Sequence, residues 1–562
     1  VGFMYPEGYL RQKIRVDGWQ ENIDEVLDRD SAPISRVFNE KGEQLMVKVP
    51  FIDPPIYVAV WKIAVGRIPL YLMDTDIEMN DPWNRRISAH LYIGDIEQRL
   101  RQEIVLGIGG SKVLETLGIK HSVSHLNEGH SAFALLERVR ERVGEGIIFE
   151  KAIEYVRATS VFTTHTPVPA GHDVFPFHLM DKYFGNYFPL LGLDRNSFLQ
   201  MGINPIEPSA GFNMTSFALK MSKYHNGVSK RHGEVARRMW NTLWPDKEEK
   251  DVPIDSITNG IHVPTWIEPK IELLFNKYLG ADWIAKHDKP ITWDVIDNIP
   301  DHELWQVHYW LKIKLINFIR EQARKRWIEN RVNPINVIIS GTLLDTMTLT
   351  IGFARRFASY KRADLIFRNP DRLKKILNNQ WKPIQIIFAG KAHPSDDDGK
   401  RILQRIFSFA TDPDLGGRIA FVENYDEQLA QYMVHGVDLW LNNPLPPLEA
   451  SGTSGMKASL NGVPNLSILD GWWIEGFNGK NGWKFAGGGD DHDAEAIYTA
   501  LESEIIPLYY KLDDEGIPIG WVKVMKEAIK STAYSFSARR MVKEYIQKFY
   551  TYALQSVERQ NK

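Results

Sequence analysis

From residue 346 onward, short apolar runs alternate with amphipathic stretches. The runs are TMTLTIGFA (346–354), IQIIFAGKA (384–392), RIAFVENY (418–425), VDLWLNN (437–443) and NLSIL (465–469). Between them lie helix-like segments such as DGKRILQRIFSFA and YDEQLAQYMVHG. Wholly apolar strands separated by helices predict βαβ units in a parallel sheet covered on both faces. Ahead of them Leu304, Val307, Leu311, Leu315 and Ile319 recur at helical spacing and predict a long amphipathic helix. In the first half, IYVAVWKI and RIPLYLMDTDI read as strands, a helical stretch spans Leu100 to Leu117, and VGFMYPEGYLRQKIRVDGWQ reads as sheet with a turn. HSVSHLNEGH and SVFTTHTPVPAGH each read as a buried strand entering a polar loop. Turn residues cluster in DSITNGIHVPTW (255–266) and mark a break. FSARRMVKEYIQKFYTYALQ reads as a final helix.

The 562 residues are too many for a single core, so two or more domains are expected. The net charge of −3 argues against a nucleic-acid or anionic-membrane binder working by bulk charge. No apolar run reaches membrane-spanning length. Cysteine is absent, which excludes disulfides, thiolate nucleophiles and cysteine-ligated metals and fits an intracellular, cytoplasmic protein. The 17 Trp and 21 Tyr are many, and aromatic rings stack on sugars as well as filling cores.

Open parallel sheets bind ligands beyond the carboxyl ends of their strands. The polar residues that follow the runs are therefore the candidates: His130, His165, Arg355, Arg356, Lys361, Lys391, Tyr425 and Glu449. GFARRFASYKRA places Arg355, Arg356, Lys361 and Arg362 just past a strand, where guanidinium forks and an ammonium suit phosphate oxygens. A solvated basic loop is the bland alternative. EASGTSGMK (449–457) offers small residues whose backbone N–H groups can cradle an anion at a helix start, and it ends in a lysine. A tight connection needing glycine explains it equally well alone; together with the arginines it reads as an anion site. GIGGSK (107–112) reads as closely packed helix, since the Gly-Lys-Ser/Thr order of a phosphate loop is missing. HLNEGH lacks zinc-ligand spacing, so no metal is expected. DDHDAE (490–495) reads as a helix N-terminus and PSDDDGK (394–400) as a surface turn.

EASGTSGMKASLNG resembles the pyridoxal-phosphate segment of the α-glucan (glycogen, starch and maltodextrin) phosphorylases, and GFARRFASYKRAD resembles that family's phosphate-binding segment. HLNEGHSAF, VFTTHTPVPAGHD, ITNGIHVPTW and FVENYDEQLA match further family segments in order, closest to the shorter branch. The resemblance implies an α/β fold of the GT-B type, with two Rossmann-like domains facing across a cleft. It implies a glucan-binding domain over 1–260, a cofactor and phosphate domain over 261–530, and a helix over 531–562 crossing back. The implied reaction is reversible phosphorolysis of a terminal α-1,4-linked glucose by inorganic phosphate, giving glucose 1-phosphate.

By position, Lys457 would hold pyridoxal 5′-phosphate as a Schiff base. Thr453, Ser454 and Arg355 would bind its phosphate, and Arg356 and Lys361 the substrate phosphate. Glu449, Asn259, Ser451 and Gly452 would contact glucose. His165 would offer its carbonyl to the sugar, and His130 with Glu128 would form the cleft wall. Tyr360 and Tyr425 would line the site, and Asp95 would lie on a gating loop. A homo-oligomer is compatible with this reading. Family members carry a segment ahead of VGFMY with a glycine-rich loop, so this chain is expected to phosphorolyse poorly without it. A nucleotide-sugar glucosyltransferase of the glycogen synthase kind and a non-catalytic glucan-binding protein are the competing expectations.

Overall fold

The structure is a computed structural model that describes the chain except residues 9, 24, 51, 92, 169–170, 331–337, 416, 486 and 561–562. Pro169 and Ala170 of the VPAGH loop therefore lie outside the described residues.

Two parallel sheets carry the molecule. The first has strands β1 (Ser124–Asn127), β2 (Ser160–Thr163), β3 (Tyr224–Gly227) and β4 (Asp255–Ser256), in the order β4-β3-β2-β1. The second has six: β5 (Leu349–Ala354), β6 (Ile384–Ala389), β7 (Ile419–Val422), β8 (Leu439–Asn442), β9 (Asn465–Ile468) and β10 (Gly482–Phe485). Its order is β7-β6-β5-β8-β9-β10, the doubly wound arrangement in which the path reverses between β5 and β8. Every residue of β5, β6, β7, β8 and β9 is buried, which is why these strands read as apolar runs.

The helix predicted ahead of this sheet spans Asp301–Asn330, about 45 Å at 1.5 Å per residue. Its Leu304, Leu311, Leu315 and Ile319 are buried against the second sheet. The first half also contains a mixed five-stranded sheet built on Ile56–Val65 and Ile68–Asp74. That sheet packs into a core of its own with Leu100, Ile104, Phe133 and Phe212. GIGGSK runs through continuous helix; a Cβ on Gly107 would lie 2.7 Å from Phe133 and Ala134 atoms, so close packing requires glycine there. PSDDDGK is a surface turn only at Pro394 and Ser395; Asp396 then caps the helix Asp397–Ala410, its carboxylate accepting from Gly399 N at 2.8 Å.

Both ends of the chain cross over. The hairpin of Arg11–Ile14 and Gln20–Ile23 lies within the first 260 residues, yet it docks on loops of the second sheet. Gln12 Nε2 donates to Gly390 O at 2.8 Å, and Gln20 Oε1 accepts from Ala392 N at 2.9 Å. Conversely, the C-terminal helices pack on the first sheet. Tyr545 and Phe549 join Val161 and Ile257 in one apolar cluster, and Arg540 Nη2 donates to Thr258 O at 2.7 Å. No helix among the described residues is long and apolar enough to cross a membrane.

Candidate active site

At the reversal point β5 and β8 are neighbours, and in doubly wound sheets ligands bind beyond the carboxyl ends of such a pair. Arg355 and Arg356 follow β5; Asn442 ends β8, and Glu449 and Ser451 follow it. Arg355 donates through Nη1 to Asn442 Oδ1 and through Nη2 to Glu449 Oε2 at 2.6 Å. Lys361 Nζ donates to the same carboxylate oxygen at 2.6 Å. Glu449 and Lys361 are 7% and 8% exposed, so these charges face one another with little water between them. Burial alone would raise the Glu449 carboxyl; Arg355 and Lys361 override it and hold it at about 2. Burial pushes Lys361 down to about 7, aided by Arg355 and opposed by Glu449. The Lys361 ammonium lies 4.5 Å from the Tyr360 ring centroid, and Arg356 hydrogen-bonds the Tyr360 side chain from a more exposed position. Two cations thus meet at one carboxylate, and Arg356 lies close enough to Lys361 to lower it as well. Two buried polar atoms beside them, Arg355 Nε and Ser451 Oγ, have no hydrogen-bond partner among the described residues.

Arg362 does not join them. Its guanidinium donates to Asn443 O, Pro444 O, Asp493 Oδ2 at 2.8 Å and Asp490 Oδ1 at 3.1 Å, and it is 6% exposed. It ties the β5 and β8 loops to the helix Asp490–Ala500, whose acidic first turn is the DDHDAE stretch. With its donors engaged by the protein, it is a structural cation rather than an anion ligand.

EASGTSGMK folds into the start of the helix Thr453–Leu460. Gly452 is its N-cap at φ 85°, a left-handed conformation that favours glycine, and no side chain caps the helix. The first N–H groups of this helix are left for an anion or solvent. Ser454 Oγ accepts from Trp440 Nε1 at 3.3 Å, so its hydroxyl is directed toward β8. Thr453 and Lys457 are four residues apart and share a helix face. The Lys457 amine sits 3.6 Å from the Trp266 ring centroid and makes no hydrogen bond or ion pair among the described residues. Burial pulls it down to about 8, against a small opposing effect of Glu427. Tyr425 is near enough to Arg355 to feel its charge, but burial dominates and pushes its phenol up to about 12.

The first sheet carries the remaining candidates. Glu128 follows β1 with φ 60°; Oε1 accepts from His165 N and from Thr164 Oγ1 at 3.5 Å, while Oε2 is buried with no partner among the described residues. Burial raises its carboxyl to about 7 despite the backbone N–H groups of His165 and Thr166. His165 Nε2 bonds Asn127 Oδ1 at 2.8 Å, and burial lowers its imidazole to about 4. His130 is likewise lowered to about 4, by burial and then by Arg99. Asn259 is half-buried, its N–H donating to Val228 O at 3.0 Å. Its neighbourhood reaches the second sheet directly, because Ser229 Oγ donates to Ala450 O, between Glu449 and Ser451, at 2.6 Å. Asp95 stands apart: it is exposed and caps the helix Ile96–Ile104 through Gln98 N at 2.7 Å, with no bond to the other candidates. No group of three or more His, Asp or Glu among the described residues is arranged to hold a metal.

Asn442, Trp266, Asp470, Ser229 and Glu475 were not singled out from the sequence. Asn442 ends the run VDLWLNN and Asp470 follows the run NLSIL, so both were findable by the strand-end rule; the Asp470 carboxylate accepts from Glu449 N at 2.9 Å. The others are recruited by contacts remote in sequence.

A family model for carbohydrate phosphorylases matches residues 102–482. The chain belongs to the carbohydrate phosphorylase family. This phosphorylase-family chain is 51% identical to the glycogen phosphorylase of Aquifex aeolicus, over 98% of this chain and 80% of that protein. It is 44% identical to the maltodextrin phosphorylase of Thermococcus litoralis, over 99% of this chain and 66% of that protein. It is 38% identical to the glycogen phosphorylase of Mycobacterium tuberculosis, over 100% of this chain and 67% of that protein.

Proposed function

We propose that this chain is an α-glucan phosphorylase that moves terminal α-1,4-linked glucose from glycogen or maltodextrin to inorganic phosphate, giving glucose 1-phosphate, in the cytoplasm. The relatives' names, glycogen and maltodextrin phosphorylase, support the reaction class and substrate. We read the two parallel sheets as the GT-B pair of Rossmann-like domains, divided near residue 260, with the helix beyond residue 530 returning to the first.

The observation that carries the reading is the unpaired Lys457 amine, held near 8 one helical turn beyond an uncapped helix start. That chemistry fits pyridoxal 5′-phosphate: an amine for its aldehyde, and Thr453, Ser454, the first N–H groups of the helix and Arg355 for its phosphate. When bound, the cofactor supplies a phosphate that shares a proton with the substrate phosphate. Arg356 and Lys361 hold that substrate phosphate. Two phosphates repel at close range, and the cationic surplus around Glu449 offsets the repulsion in a site poor in water. Glu449 and Asn259 hydrogen-bond glucose hydroxyls, with Ser451 and Gly452 beside them, while His165, His130, Glu128, Tyr360 and Tyr425 enclose the sugar. No carboxylate pair of the glycosidase kind is required. Asp95 belongs to a loop at the mouth of the cleft.

The test is borohydride reduction of the protein saturated with pyridoxal 5′-phosphate, followed by peptide mapping. The label is expected on Lys457, together with phosphate-dependent release of glucose 1-phosphate from maltodextrin. A label on a different lysine, or an absent pyridoxal absorbance band, sinks the reading and favours a nucleotide-sugar transferase.

A further inference from the structure

The loop after β9, LDGWWIEG, bonds to residues beside both sheets. At its start Asp470 accepts Glu449 N at 2.9 Å through Oδ2 and Gly471 N at 2.9 Å through Oδ1. Trp472 N then donates to Ser451 O at 2.9 Å. At its end Glu475 reaches the other sheet. Its Oε1 accepts from Lys230 N at 2.9 Å, the first N–H of the helix Lys230–Trp240, where a carboxylate is favoured by the helix dipole. Both Glu475 oxygens lie 2.9 Å from Thr258 Oγ1, and Thr258 immediately precedes Asn259. Between these ends the loop cannot flex freely. Trp472 and Trp473 are 1% and 0% exposed, and Gly471, at φ 54°, packs so closely that a Cβ there would meet Ser451 O at 2.4 Å. The Thr258 and Asn259 carbonyls are pinned from behind by Arg540 Nη2 at 2.7 and 3.2 Å.

We propose that residues 470–475 form a rigid strut that sets the distance between Asn259 and Glu449, with Glu475 as the positioning residue joining the two sheets. The proposal rests on the reading that Asn259 and Glu449 hold the same glucosyl unit. Glucan recognition then depends on a spacing that neither sheet fixes by itself. Ser229, whose hydroxyl bonds Ala450 O, closes the same gap one residue from Glu449.

The chain lacks cysteine, so Asn196→Cys and Lys375→Cys place spin labels uniquely on exposed helical positions of the two halves. In the full-length, cofactor-loaded protein, Glu475→Ala is expected to broaden or shift the interlabel distance distribution. It is expected to raise KM for maltoheptaose by about tenfold or more, the scale of a lost charge-assisted bond. KM for phosphate and the pyridoxal absorbance should stay as they are. Glu475→Gln, which keeps an acceptor for Lys230 N, should restore most of both effects. Thr258→Val serves as the second variant, with the same sign and a smaller size. An unchanged distance distribution, or an unchanged glucan KM, in both Glu475→Ala and Thr258→Val overturns the strut. Asn259→Ala separates the two claims: an unchanged glucan KM there overturns the sugar reading itself, while the distance measurement reports on the strut without reference to sugar.

Discussion

β5 and β8 carry a buried charge cluster at each end, and the two clusters differ in kind. At the amino ends Asp438 accepts from His308 Nε2 at 2.9 Å, Lys312 Nζ at 2.6 Å and Thr350 N at 2.7 Å. Lys312 also donates to Thr348 O at 2.6 Å and Tyr509 OH at 2.9 Å, so its three protons have three acceptors. Asp438, Lys312 and His308 are at most 1% exposed. At the carboxyl ends, two cations share one oxygen of Glu449, Arg356 lies near Lys361, and Arg355 Nε and Ser451 Oγ have no partner among the described residues. The first cluster is closed in charge, Lys312 answering Asp438, although His308 Nδ1 has no partner among the described residues. The second is open in charge, with more cations than its one carboxylate answers, as an anion site must be before its ligand arrives.

The largest effect should come from breaking the closed cluster. Lys312→Met leaves Asp438 buried without its principal cation, which typically costs about 3–5 kcal/mol. A urea titration should show that loss, with the pyridoxal absorbance retained wherever the protein is folded. At the open cluster the same kind of change should spare stability and strike binding. Arg356→Ala and Lys361→Ala should each weaken phosphate by about 1.5–3 kcal/mol, roughly ten- to a hundredfold. Glucan binding and the urea midpoint should change little. Equal losses of stability at both ends would erase the distinction.

The lysines of the two ends can be compared without mutation. A neutral amine is the reactive form, and its fraction rises as pH rises through the pKa. Lys457, brought from 10.5 to about 8 by burial, should therefore become reactive toward acetic anhydride with a midpoint near pH 8 in the cofactor-free protein. Lys312, enclosed and fully hydrogen-bonded, should stay unmodified across that range; quantitative peptide mapping reads both. The smallest change concerns the returning helix. Tyr545 OH accepts from Asn226 Nδ2 at 3.0 Å and lies 3.2 Å from Thr163 Oγ1, so Tyr545→Phe should cost about 1 kcal/mol by thermal or urea unfolding.

What the sequence disclosed follows from burial. β5 to β9 are covered on both faces and announce themselves as apolar runs. β3, written YHNG, and β10, written GWKF, have no such run, because polar pairing such as Asn226 with Thr163 and single buried residues do the work there. The cations after β5 were visible as a cluster, but their fates were not. Arg362 is claimed by Asp493, which lies far along the chain, while Arg355 and Lys361 converge on Glu449. Trp266 has no signal of its own within ITNGIHVPTW; its place beneath Lys457 depends on how residues 255–266 fold. Glu475 carries no local signal, since its partners Thr258 and Lys230 come from the other sheet.

The crossing ends have a mechanical consequence. The hairpin at 11–23 is held by the second sheet and the C-terminal helices by the first, so each core depends on sequence from the opposite half of the chain. Pulling the two sheets apart means stripping both fastenings, and loosening either core releases an end that the other needs. Two cores joined in this way are expected to melt in a single transition, and the fragments from a cut near residue 260 are expected to stay associated.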